Sequence, residues 1–346
     1  MRGYWMQMTD SQTMLELRET PTPEPGARQL LVRLHAASLN RGEFVLGHGL
    51  HGQPGTWKAI GGEGAGEVVA VGADVAGFAP GDRVMGRCAG AFSEYALMDV
   101  AEAMMAPGPL SWEEAASIPL TFLVSFDMLV LQGRLQPGEW LLINGVSSGV
   151  GVASLQLGKQ LGGRVIGTSG SATKLEKLRA LGLDIGLCTR VADFAPAVME
   201  TTDRHGVDLV VNAVGGSVFA ENIRAMAFEG RLATVGYVDG VLNADLDLEA
   251  LHARRLQLFG VSNKLRTKAQ RAAAVPRFVA EVMPHFAAGR IRPQIDQVVA
   301  FEELPAAKER MEGGGHIGKI VLRMPVVGWS PAAPRRTADH EDVTKP

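Results

Sequence analysis

The stretch Trp140-Leu-Leu-Ile-Asn-Gly145-Val-Ser-Ser-Gly149-Val-Gly151 decides the fold, together with the apolar-periodic run over residues 152–161 that follows it. This pattern predicts a buried strand that enters a glycine turn, from which a helix starts. Such a turn presents backbone N–H groups and a helix N-terminus to the pyrophosphate of a dinucleotide. We therefore predict a dinucleotide site formed by Ser147, Ser148, Gly149, Val150 and Gly151, with a glycine turn that binds no ligand as the alternative.

This turn begins far into the chain, which has 346 residues. The length is typical of two domains, and a domain-sized segment precedes the turn. The first third is β-rich and punctuated by glycine, whereas strand and helix patterns alternate from residue 138 onward. The expected fold class is therefore α/β, with a β-rich domain followed by a doubly wound parallel sheet.

Individual elements follow from periodicity, turn residues and caps. Predicted strands cover residues 30–36, 66–71, 83–85, 139–144, 164–168, 207–213, 231–235, 256–261, 297–301 and 319–324. Predicted helices cover residues 149–161, 173–181, 193–204, 218–227, 267–288 and 304–311, and a capping box at Ser111 and Glu114 starts another. The elements after residue 288 are candidates to return to the first domain. Residues 326–346 are polar and aperiodic, which predicts a disordered tail.

Composition excludes several functions. Apolar residues make up 46% and charged residues 21%, as in globular proteins, and the net charge of −3 with dispersed basic residues argues against a nucleic-acid partner. Cys88 and Cys188 are too few for a disulfide framework or a four-cysteine zinc site. The start lacks the apolar run of a signal peptide, and no apolar stretch reaches membrane-spanning length. A cytoplasmic protein with no membrane partner is expected.

The choice of cofactor depends on residues about twenty positions after the turn, where NAD-binding folds place a carboxylate on the ribose. That place reads Thr168-Ser-Gly-Ser-Ala-Thr-Lys174 and holds no carboxylate. Ser169, Ser171 and Lys174 instead offer hydroxyls and a cation to a 2′-phosphate. This segment favours NADPH over NADH, although a solvated helix lysine is the simpler interpretation of Lys174 alone.

Several motifs together resemble the medium-chain dehydrogenase/reductase superfamily, in its zinc-independent quinone oxidoreductase and enoyl reductase-like branch. These motifs lie at residues 37–40, 61–68, 80–84, 91–95, 144–151, 208–216 and 316–322. The resemblance implies a GroES-like substrate domain from residues 1–122 and 289–325, with a Rossmann NADPH-binding domain at 123–288 inserted between them. Short-chain dehydrogenases, which share the glycine spacing, need a Tyr with a Lys four residues later, and no tyrosine here has one.

The resemblance also bears on the metal. Zinc members carry a catalytic Cys in the stretch that matches residues 40–43 and a His before the glutamate that matches Glu63. This chain has Asn40 and Gly62 at these positions. No metal site is therefore expected. The resemblance implies reduction instead, with a hydride passing from NADPH to a quinone or an α,β-unsaturated carbonyl compound.

Catalytic candidates are carried over from the resemblance. Asn40 is expected to contact the substrate carbonyl near the nicotinamide, and Ser125 matches a family threonine beside the nicotinamide. His51 falls at or next to the position of a proton-donating tyrosine of some enoyl reductases, and histidine can do that work at neutral pH. The alternatives are packing roles for Asn40 and Ser125, and a surface loop position for His51. Glu63 is equally a structural or a catalytic carboxylate.

Further cofactor contacts are implied by the same resemblance. Family NADPH binders often add a Tyr near Thr189 and an Arg near Gly314; both are absent here, and Arg190 is a substitute for the tyrosine. The segments expected to line the cofactor contain Asn212, Val214, Gly236, Tyr237, Phe259 and Val261. A homodimer through the strand at residues 256–261 is expected. Rival functions are an enoyl reductase acting on CoA- or carrier-bound acyl chains, and a non-catalytic NADPH-binding protein.

Overall fold

The computed structural model describes residues 1–9, 13–44, 55–325 and 328. The strands are β1 (Arg2–Met8), β2 (Thr13–Glu19), β3 (Gln29–Ser38), β4 (Lys58–Ala59), β5 (Glu63–Val71), β6 (Arg83–Cys88), β7 (Tyr95–Met105), β8 (Trp140–Asn144), β9 (Arg164–Ser169), β10 (Ile185–Cys188), β11 (Val207–Asn212), β12 (Met226–Thr234), β13 (Gln257–Gly260), β14 (Ile295–Ala300) and β15 (Lys319–Arg323). The helices are α1 (Trp112–Ala116), α2 (Thr121–Phe126), α3 (Gly149–Gln160), α4 (Ala172–Arg179), α5 (Ala195–Thr201), α6 (Phe219–Ala225), α7 (Leu248–Ala253), α8 (Lys268–Ala272), α9 (Val275–Glu281), α10 (Met283–Ala287) and α11 (Leu304–Glu312).

A six-stranded parallel sheet forms the middle of the chain, in the order β10-β9-β8-β11-β12-β13. Alternate side chains of β8 enter different cores: Leu141 packs with helix α3 on one face, and Leu142 packs with α5 and α6 on the other. Helices therefore cover both faces, and the doubly wound parallel sheet is confirmed. The order reverses between β8 and β11, and ligands of such sheets bind outside the carboxyl ends of the strands at that point.

A second six-stranded sheet has the order β14-β15-β3-β5-β6-β7, and an additional pairing of β3 with β7 closes β3, β5, β6 and β7 into a barrel. The late strand β15 pairs antiparallel with β3, with Val321 opposite Ser38. The elements after residue 288 thus return to the sheet built by the first third of the chain, as predicted. This return places the start of β15 beside the end of β3. The domain boundaries given above remain a prediction.

One predicted helix is wrong in its extent. Residues 267–288 form three helices, α8, α9 and α10, because Pro276 and Pro284 lie at the second positions of α9 and α10. A proline has no N–H to donate to the preceding turn and clashes with it, so the helix restarts at each one. Strands β1, β2, β4, β7 and β10 were not predicted. Strand β10 has only four residues and no clear alternation.

The capping box is confirmed. Ser111 Oγ accepts from the Glu114 N–H at 3.1 Å, and the Glu114 carboxylate accepts from the Ser111 N–H at 2.9 Å.

Within the described ranges, no helix is long and apolar enough to cross a membrane. The predicted tail falls almost entirely outside the described residues.

Candidate active site

The glycine turn has the geometry of a dinucleotide-binding loop. Strand β8 is buried throughout and ends at Asn144, and Gly145 then adopts φ +72°. Ser148 is the N-cap of α3, and its Oγ accepts from the Gly151 N–H at 3.0 Å. A Cβ on Gly151 would lie 2.5 Å from the carbonyl oxygen of Gly145, a contact that no real side chain makes. The strand and helix therefore approach so closely that only glycine fits, which leaves the helix N-terminus open toward a ligand.

The segment predicted to choose the cofactor lies at the carboxyl end of β9. Ser169 ends that strand, and Ser171 is the N-cap of α4, where its Oγ accepts from the Lys174 N–H at 3.4 Å. Arg190 lies against Gly170: a Cβ on that glycine would be 2.9 Å from the guanidinium carbon. The structure thus brings Ser169, Ser171, Lys174 and Arg190 together.

Lys174 already has backbone partners. Its Nζ donates to the carbonyl oxygens of Gly314 at 2.6 Å and His316 at 2.8 Å, in the loop that leads into β15. Burial lowers the pKa of Lys174, and the neighbouring charge of Arg190 lowers it further. Burial, together with the charge of Arg41, lowers the pKa of His316 to about 4, so His316 is neutral at neutral pH. Lys174 and Arg190 therefore supply cations here and His316 does not.

The segments expected at the nicotinamide end lie together at the carboxyl ends of β11 and β12. The Val235 N–H donates to Asn212 O at 3.0 Å, and a Cβ on Gly145 would contact Val214 at 3.6 Å. The Asn212 amide holds its own turn, accepting from the N–H groups of Val214 and Gly215 at 3.0 Å. Gly236 follows β12 and Tyr237 is exposed. This segment adjoins the glycine turn, and its contact with the nicotinamide stays a prediction.

Phe259 and Val261 follow from the next strand. Phe259 is partly buried and Val261 is buried, and both pack in the apolar core on the α3 face of the parallel sheet. The Val261 N–H donates to Thr234 O at 2.9 Å, which keeps this chain segment beside the end of β12.

Ser125, expected beside the nicotinamide, has its side chain turned into the core, and its contact with the cofactor stays a prediction. Its side chain is fully buried, with Oγ 3.0 Å from Ser154 Oγ of α3. The hydroxyl therefore ties α2 to α3. The partly exposed side chains of α2 are its neighbours Leu123 and Val124, because the helical turn directs successive residues to different faces.

Asn40 belongs to a cluster of polar side chains at the end of β3. Ser38, Glu43, Glu63 and Lys319 are buried, whereas Asn40 is only partly buried. Glu63 Oε1 accepts from Ser38 Oγ at 2.6 Å, from Asn40 Nδ2 at 2.9 Å and from Lys319 Nζ at 2.9 Å. Its other oxygen accepts from the Leu120 N–H at 2.7 Å. Glu63 is therefore a fully bonded structural carboxylate that anchors the cluster.

Glu43 is the second carboxylate of this cluster. Its Oε2 accepts from the Asn40 N–H at 3.2 Å, and its Oε1 lies 3.4 Å from Asn40 Nδ2. Burial raises the pKa of Glu43 to about 7 against the opposing effect of Lys319, with a further rise from the Glu63 charge. The Lys319 ammonium bonds to Glu63, whereas no hydrogen bond from Lys319 to Glu43 is present among the described residues, so burial makes Glu43 the carboxylate that holds a proton more readily.

These residues do not fit a catalytic zinc ion. The ligand positions of zinc relatives are occupied by the Asn40 amide and by Gly62, and Glu43 Oε1 lies 2.8 Å from the point where a Cβ on Gly62 would stand. Over residues 1–9, 13–44 and 55–325, no group of three or more His, Cys, Asp or Glu side chains could hold a metal ion. His51 lies outside the described residues.

Sequence reasoning missed Lys319, Glu43 and Asn144. Lys319 approaches Asn40 only through the pairing of β15 with β3, although the motif at residues 316–322 contained it. Glu43 instead meets Asn40 locally, at the end of the short 3-10 turn that Asn40 caps. Asn144 ends β8 opposite Asn212, at the switch point of the sheet, and both atoms of its buried amide have no hydrogen-bond partner in the described part of the chain. A buried unpaired amide is costly, so Asn144 marks a place where a ligand or water can bind.

Comparison with known proteins gives two family matches. The "Alcohol dehydrogenase GroES-like domain" model matches residues 26–108, and the "Zinc-binding dehydrogenase" model matches residues 181–322. A similar curated protein is a phenolphthiocerol/phthiocerol polyketide synthase of Mycobacterium tuberculosis, 33% identical over 91% of this chain. This chain spans only 14% of that much longer protein.

Solved structures match over nearly the whole chain. An NAD-dependent alcohol dehydrogenase is 31% identical, with a TM-score of 0.79 over 95% of this chain and 100% of that one. The mycobacterial protein Rv1454c, solved with NADPH, is 26% identical, with a TM-score of 0.83 over 93% and 100%. The CurK enoyl reductase is 25% identical, with a TM-score of 0.79 over 93% and 99%.

Proposed function

Because this chain belongs to the medium-chain dehydrogenase/reductase superfamily, in its zinc-independent quinone oxidoreductase and enoyl reductase-like branch, we propose that it is an NADPH-dependent reductase of quinones or α,β-unsaturated carbonyl compounds. The observation that carries this proposal is the cluster around Asn40. Where zinc relatives place metal ligands, this chain holds an amide bonded to a buried ammonium, Lys319. Such a group stabilises a developing oxyanion by hydrogen bonding, without a Lewis acid.

The chain offers suitable groups along the whole cofactor. The N–H groups at residues 147–151 and the start of α3 bind the pyrophosphate, and the absence of a side chain at Gly151 lets the turn and the helix approach closely. Ser169, Ser171, Lys174 and Arg190 bind the 2′-phosphate. The nicotinamide end is lined by Asn212, Val214, Gly236 and Tyr237, and Asn144 ends β8 opposite Asn212. When bound, NADPH supplies a hydride.

The residues of the chain direct the reduction as follows. Asn40 Nδ2 donates to the carbonyl oxygen, which lowers the energy of the enolate formed when the β-carbon accepts the hydride. A proton then adds to the α-carbon, and the C=C bond becomes a C–C bond. The donor of that proton is solvent or, as we propose from the resemblance, His51. For a quinone, one hydride and one proton are added in total, and the hydroquinone results with one hydrogen on each oxygen.

Cofactor consumption tests this function directly. NADPH and NADH are each mixed with the protein and a panel of quinones and enones. We expect NADPH oxidation with at least one class, and much slower oxidation of NADH. Oxidation of NADH alone would contradict the cofactor assignment, tight NADPH binding without turnover on any substrate would favour a non-catalytic protein, and stoichiometric zinc in the purified protein would overturn the metal-free chemistry.

An enoyl reductase of thioester-linked acyl chains is the second candidate. It is favoured by the likeness to CurK enoyl reductase and to a polyketide synthase. A kcat/KM for an enoyl thioester far above that for a free enone of the same carbon skeleton would select it.

The domain division and the dimer are also expected from the resemblance to the family. We propose that residues 123–288 form the cofactor domain and that two copies pair along β13, the edge strand of the parallel sheet. Light scattering in solution tests the dimer, and a monomer at all concentrations would contradict it.

A further inference from the structure

Lys319 is a buried cation that the proposed cofactor contacts do not use. Its side chain is 5% exposed, and its ammonium has three N–H donors with three acceptors: Leu39 O at 2.9 Å, Asn40 Oδ1 at 2.6 Å and Glu63 Oε1 at 2.9 Å. The shortest of the three contacts is the one to Asn40. The ammonium is therefore held in one place, directly on the amide oxygen of the residue proposed to meet the substrate.

The amide of Asn40 is bonded unequally. One N–H of Nδ2 has a short acceptor, Glu63 Oε1 at 2.9 Å. The other acceptors of Nδ2 among the described residues, Glu43 Oε1 and Ser38 O, are 3.4 and 3.5 Å away, at the limit of a hydrogen bond. One N–H is therefore weakly held, and it belongs to the one member of the cluster that is not buried.

We propose that Lys319 is a positioning residue for the reduction: its ammonium fixes the side-chain conformation of Asn40 and polarises the amide, so that the weakly held N–H becomes a stronger donor to the substrate carbonyl oxygen. A cation on an amide oxygen draws electrons from the nitrogen and makes its N–H more acidic, and the low dielectric of a buried cluster strengthens this effect. The benefit is largest when negative charge develops on the oxygen, so it appears in the transition state. The proposal rests on the function proposed above.

The stem of Lys319 has a separate role. Its Cδ lies 3.0 Å from the position of a Cβ on Gly149, and the neighbouring Gly318 N–H donates to Ser147 O at 2.9 Å. The methylene chain therefore packs against the first turn of α3, at the proposed cofactor site. The substitution Lys319→Met separates the charge of this side chain from its packing. Methionine keeps an unbranched stem of similar length but has no ammonium.

The kinetic test compares Lys319→Met, Asn40→Ala and the double variant. We expect Lys319→Met to lower kcat about 10- to 100-fold, somewhat less than the loss of a direct oxyanion donor, with KM and the Kd of NADPH changed far less. If Lys319 acts through Asn40, the double variant is no slower than Asn40→Ala alone. Multiplied losses in the double variant, or full kcat in Lys319→Met, would overturn the proposal. Lys319→Arg should recover part of the rate, and Lys308→Met, which removes the partner of Glu312 on α11, is the matched control.

A second measurement does not need turnover. The side-chain amide of Asn40, assigned by its loss in Asn40→Ala, should resonate downfield in the wild-type ¹H–¹⁵N spectrum relative to Lys319→Met. Identical resonances would overturn the polarisation. If no quinone or enone is reduced, the proposed function fails while this comparison still decides the role of Lys319. Should Lys319→Met not fold because Glu63 is left unpaired, the charge-neutral pair Glu63→Gln with Lys319→Met serves in both tests.

Discussion

The carboxylate oxygen Oε1 of Glu43 lies 2.8 Å from the point where a Cβ on Gly62 would stand. The two residues share one small volume, which Glu43 occupies because residue 62 has no side chain. Position 62 is where zinc relatives carry a metal ligand, so the space for that ligand is filled here by a carboxylate.

This shared volume predicts coupled substitutions. Gly62→Ala should lower the free energy of unfolding by about 1–3 kcal/mol, because the buried carboxylate must leave its bonds to Asn40. In Glu43→Ala the added methyl has room, so the double variant should be more stable than the sum of the single losses by at least about 0.5 kcal/mol. Urea denaturation of the four proteins measures this coupling, and strictly additive losses would show that the two sites are independent.

Gly151→Ala should damage the cofactor turn. The new Cβ would lie 2.5 Å from Gly145 O and 2.7 Å from Val146 O, which are backbone atoms that cannot move aside cheaply. We expect a loss of about 1–3 kcal/mol in stability and at least a tenfold rise in the Kd of NADPH, since about 1.4 kcal/mol corresponds to a factor of ten. Gly108→Ala is the control, because a Cβ there meets nothing within 4 Å. Unchanged NADPH affinity in Gly151→Ala would place the pyrophosphate elsewhere.

Stability should fall as the pH rises from about 4.5 to about 7. Burial raises the pKa of Glu43 from 4.5 to about 7, so the folded state binds more protons than the unfolded state between these values. The free energy of unfolding therefore decreases with pH across this window, by on the order of 3 kcal/mol in total from this group. Glu43→Gln should flatten the decline, measured by urea unfolding at several pH values. Glu309→Gln on the exposed face of α11 is the control, and an equal decline in wild type and Glu43→Gln would assign the effect to another group.

Lys174 should discriminate between the two nicotinamide cofactors. Its ammonium lies near Arg190, beside Ser171 at the end of β9, so Lys174→Met should raise the Kd of NADPH at least tenfold while the Kd of NADH changes little. Lys177→Met, on the last turn of the same helix, keeps the local cation pair and is the matched control. Fluorescence titration of both cofactors checks this result. Equal losses for NADPH and NADH would mean that Lys174 matters only through its bonds to Gly314 and His316.

The two cysteines should differ strongly in reactivity. Cys88 is buried, and burial together with the charge of Glu63 raises its pKa well above the usual range for a thiol, whereas Cys188 is exposed. Thiolate is the reactive form, so a thiol reagent should label one cysteine in the native protein and two after denaturation. Cys188→Ser should remove the native label. Labelling of native Cys88 would show that the cluster around Glu63 opens in solution.

The motif at Trp140 was sufficient to predict a strand, its turn and the helix after it, and the alternation of strands and helices that follows predicted the parallel sheet, because strand and helix periods and the need for glycine at a close approach are local properties. The capping box at Ser111 was predictable for the same reason. The helix over residues 267–288 was mispredicted because the apolar period continues through Pro276 and Pro284, where proline breaks the backbone hydrogen bonding.

The sequence alone showed that the zinc ligands are absent and that no carboxylate follows β9. Residue identities suffice for this because zinc coordination and recognition of the NAD ribose each require particular side chains. The placement of Ser125 could not be predicted from the sequence alone. Adjacent positions of a helix face different sides, so a shift of one residue decides whether a side chain faces a cleft or the core. The bonds of Asn40 also required the tertiary structure. Lys319 is distant from Asn40 in the chain, and only the antiparallel pairing of β15 with β3 brings its ammonium to 2.6 Å from the amide. Long-range strand pairing brings the charge of Lys319 to Asn40 and orients its amide, and burial sets the protonation of Glu43. Neither the pairing nor the burial is encoded in the local sequence pattern.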